Sequence, residues 1–335
     1  MPRRMKLRAV LILGTLAAAS IGLHGQERSM AQDPSLNNLV HPEGYETAPL
    51  GTFGHVEKQG TGPVPMVLIP GGGFGWSVFE PFMKNQENEY TMYAVSLAGM
   101  GGTKAPPMPP EGTSYGEQTW IRGGVRALID LIEREKLDRP VVGGHFLEGS
   151  QIGLRIAIDH PELVRGVILF AGTAVITLPN MSPSLEERIR YQDERMAPNW
   201  FKTVTLETWN DNNFPPRSYS LDPERGARLF EQVSHGPLPV YIRYLLEFWA
   251  SDVSLEFGDI ATPVLVLTPG FPEDMLEEEA TKWLRYYFLD TWKGVEKIAL
   301  VERSTIEDAA IFVWLDQPEL VGKEVARFVG SVAKR

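Results

Sequence analysis

Past residue 60 the chain alternates between short runs of continuous apolar residues and longer stretches in which apolar residues recur every three or four positions. The runs at 64–69, 91–97, 141–146, 164–170, 263–267 and 297–301 are of strand length, rich in β-branched residues and bounded by Gly or Pro. Helical spacing occupies 77–85, 115–136, 149–159, 275–292 and 318–333. Strands alternating with helices of this length predict an α/β fold: a doubly wound, mostly parallel sheet covered on both faces. Between 178 and 254 the rhythm breaks. Helical segments there are separated by Pro179, Pro183, Pro198, Pro215, Pro216, Pro237 and Pro239 and are rich in aromatics, among them Trp200, Trp209, Phe214, Tyr219, Tyr241 and Trp249. This stretch reads as an inserted helical cap, its rings either packing it onto the core or walling an apolar pocket.

The organisation expected from this pattern has five parts. Residues 1–31 form a signal peptide, 32–63 an N-terminal segment with the first strands, 64–177 the first part of the core, 178–254 the cap and 255–335 the second part of the core. Arg3, Arg4, Lys6 and Arg8 precede an apolar stretch at 9–23 and small residues at Ser29 and Ala31, the three-part order of a secretory signal. The apolar stretch is shorter than the ~20 residues that span a bilayer. An extracytoplasmic bacterial protein with a mature N-terminus near Gln32 and no stable membrane span is therefore expected.

Composition narrows the chemistry further. A chain of 335 residues with 43% hydrophobic and 22% charged residues can bury a large core. It has no Cys, which excludes disulfides, thiolate metal sites and cysteine nucleophiles, and its six His include no pair at helical spacing, so no metal is expected. A formal net charge of −11 argues against a nucleic-acid partner. Gly71, Gly72, Gly73 and Gly75 follow a strand as a phosphate loop would, but no Gly-Lys-Ser/Thr follows and the G-x-G-x-x-G spacing is incomplete, so no nucleotide cofactor is expected.

Four segments then resemble one family. VPMVLIPGGGFGW, YTMYAVSLAGMGGTKAPP, DRPVVGGHFLEGSQIGLRIAIDHPELVRGVILFAG and IFVWLDQPEL look like successive landmarks of the α/β-hydrolase fold, in family order, over 64–170 and 261–335. The resemblance implies that the glycine run Gly71, Gly72, Gly73 and Gly75 is a loop whose N–H groups face a developing oxyanion, the alternative being glycines that serve only a tight turn. It also implies a nucleophile elbow of the form G-x-S-x-G, a His that takes the Ser proton, and an acid that orients the His. In the second landmark Ser96 stands where the family usually has Asp.

The residues at those positions cannot perform that chemistry. The elbow reads Gly144, His145, Phe146, Leu147, Glu148, Gly149. Aligned from the strand, Phe146 falls at the Ser position; aligned from the following helix, Leu147 does. Neither side chain can attack a carbonyl. Ile311 stands at the His position, and no His occurs after His235. The acid position falls at Glu273 or Asp274, the match between the two being open, and the alternative role for either is a helix N-terminal acid. Glu148 replaces a family glycine beside the expected pocket and is the candidate acid/base group or ligand anchor. His145 reads as a buried core histidine, and Ser150 as a packing residue or a replacement nucleophile.

Two functions remain open at this point. One is a non-hydrolytic, exported α/β-hydrolase-fold protein with a degenerate triad, binding an apolar or amphipathic small molecule beneath the cap at Gly71, Gly72, Gly73, Phe74, Phe146 and Leu147, or presenting the fold to a protein partner. The other is an enzyme: an esterase-like hydrolase, or an acid/base lyase or isomerase, working through Glu148 or Ser150.

Overall fold

The structure is a computed structural model and describes residues 46–333. The expected signal peptide lies outside the described residues. Seven strands form one sheet: β1 (Phe53–Gln59), β2 (Val64–Ile69), β3 (Tyr90–Leu97), β4 (Val141–His145), β5 (Gly166–Phe170), β6 (Val264–Gly270) and β7 (Val301–Glu307), in the order β1-β3-β2-β4-β5-β6-β7. β1 runs antiparallel to β3, and every other pairing is parallel. β4 and β5 are buried along their whole length, which is why they read as unbroken apolar runs.

Helices flank the sheet. The main ones outside the insertion are α1 (Glu80–Asn85), α2 (Thr119–Arg134), α3 (Phe146–Asp159) and the C-terminal helix Pro318–Val332. Between β5 and β6, among the described residues, the chain is helical, including Leu185–Tyr191, Ala197–Thr203, Pro223–Ser234 and Leu238–Trp249, with no strand. No helix among the described residues is long and apolar enough to cross a membrane.

Three expected elements differ. The run at 141–146 ends as a strand at His145, because Phe146 already opens α3. The last strand is Val301–Glu307, not 297–301: it is an edge strand with Ile306 alone fully buried, so its sequence VERSTIE lacks the apolar run that marks inner strands. The helix expected at 275–292 is broken into Glu273–Glu277, a π-helical turn Arg285–Leu289 and a 3-10 turn Asp290–Trp292. The first piece ends on the exposed Glu277, at the negative end of the helix dipole, and has no basic residue in its last turn.

A buried polar cluster fastens the insertion to the core. α2 begins at Gln118, whose backbone is left-handed (φ +51°) and whose side chain does not cap the helix. The cap comes from Glu247 on Leu238–Trp249: fully buried, it accepts from Trp120 N at 2.9 Å and Ile121 N at 3.0 Å. Arg243 lies 2.7 Å from the same carboxylate, with its guanidinium 4.2 Å from the centre of the Tyr115 ring. Gln118 also donates to Gln151 of α3, which donates to Ser251.

Candidate functional site

Sheet register sets the site. Ile69, the last residue of β2, is paired with Gly144 in β4, so the glycine loop after β2 and the turn after β4 emerge side by side at the carboxyl edge of the sheet. At that turn Phe146 has φ +59°, a left-handed conformation that costs a side-chain-bearing residue roughly 1–2 kcal/mol. Of the two residues that the alignments offered, Phe146 and not Leu147 has this conformation. The turn is held by close packing. A β-carbon on Gly144 would collide with Gly149 O, and one on Gly149 with Ile69 O.

The glycine loop is shaped around what the elbow carries. Gly72 (φ +65°) and Gly73 (φ +88°) are both left-handed, and a β-carbon would strike the Phe146 ring at Gly72 and the Tyr241 ring at Gly73. Ser96 accepts from Trp76 N at 3.0 Å, anchoring the end of this loop by a hydroxyl.

Glu148 turns its carboxylate into this junction. Its Oε2 accepts from Gly72 N at 2.7 Å, and only 2% of the residue is exposed. The N–H that the resemblance assigns to a developing oxyanion is thus engaged by a carboxyl group of the protein. Burial pushes the Glu148 carboxyl above its ordinary value of 4.5, against the Gly72 and Glu148 N–H groups, which favour the anion; the charge of Glu247 adds to the rise. In the unfolded chain this carboxyl titrates near 4.5, so between that value and the folded one the native state binds more protons and stability falls as pH rises. Glu148→Gln removes that term. Melting temperatures taken from about pH 4 to pH 8 should show the variant gaining on wild type as pH increases, whereas a constant difference would refute it.

A cavity of about 1020 Å³ opens over the junction, at the upper end of the range for small-molecule sites. Gly72, Gly73, Phe146, Leu147 and Glu148 lie on its wall, brought together as expected sites, and the insertion supplies aromatic rings including Trp200, Trp209, Phe214, Tyr241 and Trp249. The Phe146 ring stacks on Phe288 at 5.4 Å and meets Phe214 at 5.8 Å.

Other expected site residues stand elsewhere. Gly71 packs beneath the elbow, where a β-carbon would crowd His145 O and Glu148 Oε2. Phe74 is a core residue, edge-on to Phe312 at 4.8 Å and Tyr219 at 5.6 Å, not on the cavity wall. Ile311 is fully buried, its N donating to Ser218 O at 3.0 Å. Asp274 is 63% exposed and paired with Arg217 at 2.6 Å, away from the cavity wall, and Glu273 is exposed beside it. A surface ion pair is therefore what the acid position holds. Ser150 is fully buried in α3 and does not line the cavity either, so its hydroxyl cannot meet a ligand there. His145 is enclosed by Phe79, Phe146, Phe312 and Trp314; burial pushes its pKa down to about 3, so it is neutral and acts as a core ring.

Sequence reasoning missed the cavity roles of Arg188, Gln192, Asn210 and Tyr287. For the first three, polar residues on a helical insertion give the same signal as a solvated helix face, whereas Tyr287 lies beyond the insertion, in the turn Arg285–Leu289.

A mostly parallel sheet with a tight turn at the end of β4, a glycine loop at the end of β2 and a helical insertion after β5 define the α/β-hydrolase class. The chain belongs to the alpha/beta hydrolase family, whose model matches residues 66–322. It is 29% identical over 139 residues to the 2-hydroxymuconate semialdehyde hydrolase of Pseudomonas sp. (strain CF600), a match covering 41% of this chain and 45% of that protein, so the chain aligns with less than half of that relative. Among solved structures it is similar to a thermophilic esterase from Thermogutta terrifontis (TM-score 0.59, 18% identity, covering 83% of this chain and 93% of that one). It is also similar to the enol-lactonase from Burkholderia xenovorans (TM-score 0.58, 17% identity, 82% and 96%). At these identities the structural likeness speaks for the fold alone.

Proposed function

We propose that this member of the family does not hydrolyse esters by a Ser/His/acid triad but binds an apolar or amphipathic small molecule in the cavity between the elbow and the helical insertion. The observation that carries this reading is the elbow itself: a phenylalanine sits in the strained position and the Glu148 carboxyl takes the Gly72 N–H. Acyl transfer needs a nucleophile and free donors for the oxyanion at this place. Here an apolar ring and an acceptor stand instead.

Fluorophosphonates label a Ser activated by a base, and the expected result is no stoichiometric adduct by mass spectrometry, with no turnover of short-chain aryl esters above background. An adduct on any Ser would overturn the reading. A second reading is favoured by one feature, the buried carboxyl of Glu148 facing the cavity, whose raised pKa suits an acid/base catalyst of a lyase or isomerase. Ester or lyase turnover in wild type that Glu148→Gln abolishes would establish it.

We further propose that the protein is exported, on the basic start, apolar run and small residues of its first 31 positions. Sequencing the N-terminus from cell fractions should give a start near Gln32; intact Met1 in a soluble cytoplasmic pool would rule export out.

A further inference from the structure

Two carboxyls are buried within reach of each other's charge, and the described residues answer only one of them with a cation. Glu247 is fully buried and lies 2.7 Å from the Arg243 guanidinium. Glu148, on the cavity wall, has no such partner: Gly72 N and its own N–H reach it, and the one charged group whose field acts on it is Glu247, another acid. Three arginines line the same cavity, but Arg188, Arg190 and Arg195 stand on Leu185–Tyr191 and the π-helical turn Gln192–Met196, and none of them acts on Glu148. Arg188 is buried, donates to Ser182 O and feels Asp252, while the other two are exposed. Taking a carboxylate out of water without a counter-charge is costly, so an unpaired buried acid on a cavity wall marks where a cation arrives from outside.

The rings around Glu148 suit a cation as well. Three side chains close on the glycine loop: Glu148 at Gly72 N, and the Phe146 and Tyr241 rings, which a β-carbon on Gly72 and on Gly73 would meet at 2.4 Å and 2.8 Å. The Trp209 ring follows at 6.3 Å from that of Tyr241, and all of these residues line the cavity. Burial, and after it the charge of Glu148, push the Tyr241 hydroxyl up to about 12, so this ring stays neutral beside the carboxyl. Aromatic faces carry negative charge density and attract ammonium groups.

We propose that the molecule held in the cavity is an amphipathic amine, its ammonium group against the Glu148 carboxylate and the Tyr241 ring and its apolar body among the aromatic rings of the insertion. The inference rests on the reading of the cavity as a ligand site. An ammonium group donates to the lone pairs that Gly72 N leaves free, supplies the counter-charge that Glu148 lacks and rests on an aromatic face. With it bound, Glu148 becomes one half of a buried ion pair, as Glu247 already is with Arg243. A ligand carboxylate is turned away at this end of the cavity, because it would meet Glu148.

The test titrates octylamine, 1-octanol and octanoate, which differ at the head group and not in chain character, into the purified protein at neutral pH, followed by calorimetry and by the fluorescence of the cavity tryptophans. Octylamine, charged at this pH, should bind about tenfold or more tightly than octanol, the return expected from a charge-assisted hydrogen bond, and octanoate more weakly than octanol. Glu148→Gln keeps an acceptor for Gly72 N and deletes the charge; it should bring octylamine and octanol to within about threefold of each other. Tyr241→Leu deletes the ring and should cost octylamine a few-fold more than octanol, and it carries the test if Glu148→Gln does not fold, which melting curves report. Octanol binding wild type as tightly as octylamine, octanoate binding tightest, or a preference for octylamine undiminished in either folded variant overturns the ammonium site while leaving the cavity a ligand site. If none of the three probes binds, the ligand-site reading fails and the inference falls with it.

Discussion

Replacing Phe146 by Ser, Ile311 by His and Glu148 by Gly together should produce slow but measurable hydrolysis of a short-chain aryl ester, and no single one of these changes should do so. Triad members act as a unit, so a hydroxyl without a base, or a base without a hydroxyl, gives little. The third change matters because Glu148 lies 2.7 Å from the N–H that would hold the oxyanion. Two unit charges about 4 Å apart repel by about 4 kcal/mol at an effective dielectric of 20, roughly three orders of magnitude in rate. Protonation of Glu148 relieves the repulsion but leaves Gly72 N–H engaged, so the double change Phe146→Ser with Ile311→His should trail the triple one by up to that factor. Even the triple change lacks an orienting carboxylate, since Asp274 is exposed and paired with Arg217. Loss of that orienting group costs a complete triad about 10⁴ in turnover, which sets the ceiling. Stopped assays with each of the variants decide the matter. Activity in Phe146→Ser equal to that of the triple change would show that the elbow is not blocked in the way described.

Glu247→Ala should destabilise the fold by about 3–5 kcal/mol, with a melting temperature lower by on the order of 10 °C. The reason is what it strands. Two N–H groups in the first turn of α2 lose their acceptor, and Arg243, 4% exposed, loses the carboxylate that neutralises it. Burial raises the Glu247 carboxyl above its ordinary value while Arg243 pulls it back, so neither member is at ease alone. Replacing both, Arg243→Met with Glu247→Leu, should recover the part of the loss that comes from the stranded Arg243 charge, while Trp120 N and Ile121 N stay without their acceptor. Thermal unfolding of the two singles and the double gives the coupling directly; strict additivity would mean the two residues are independent.

The inner strands were legible because burial on both faces leaves an unmixed apolar run, and Val64–Ile69 matches its expectation residue for residue. β7 was not, since an edge strand with one fully buried residue carries no such run. The site divides in the same way. That Phe146 and Ile311 stand where the resemblance expects a nucleophile and a base can be read as letters. The engagement of Gly72 N–H by Glu148 cannot, because the partners are 76 residues apart and meet only through the pairing of β2 with β4. Phe74, expected at a ligand, turns into the core for a reason equally invisible in one dimension: Tyr219 and Phe312 arrive there from distant segments.

The strained turn at residue 146 is set by its neighbours and not by the side chain it carries. Its backbone is dictated by the contact of Gly144 with Gly149 and of Gly149 with Ile69, none of which involves the side chain at 146. Geometry and reactivity are therefore separable here: the junction lifts whatever side chain it bears into the cavity, and the identity of that side chain alone decides what is done with it. Position 146 is a display post. A cysteine placed there, in a chain that has no other, would stand as a single addressable thiol facing the cavity contents.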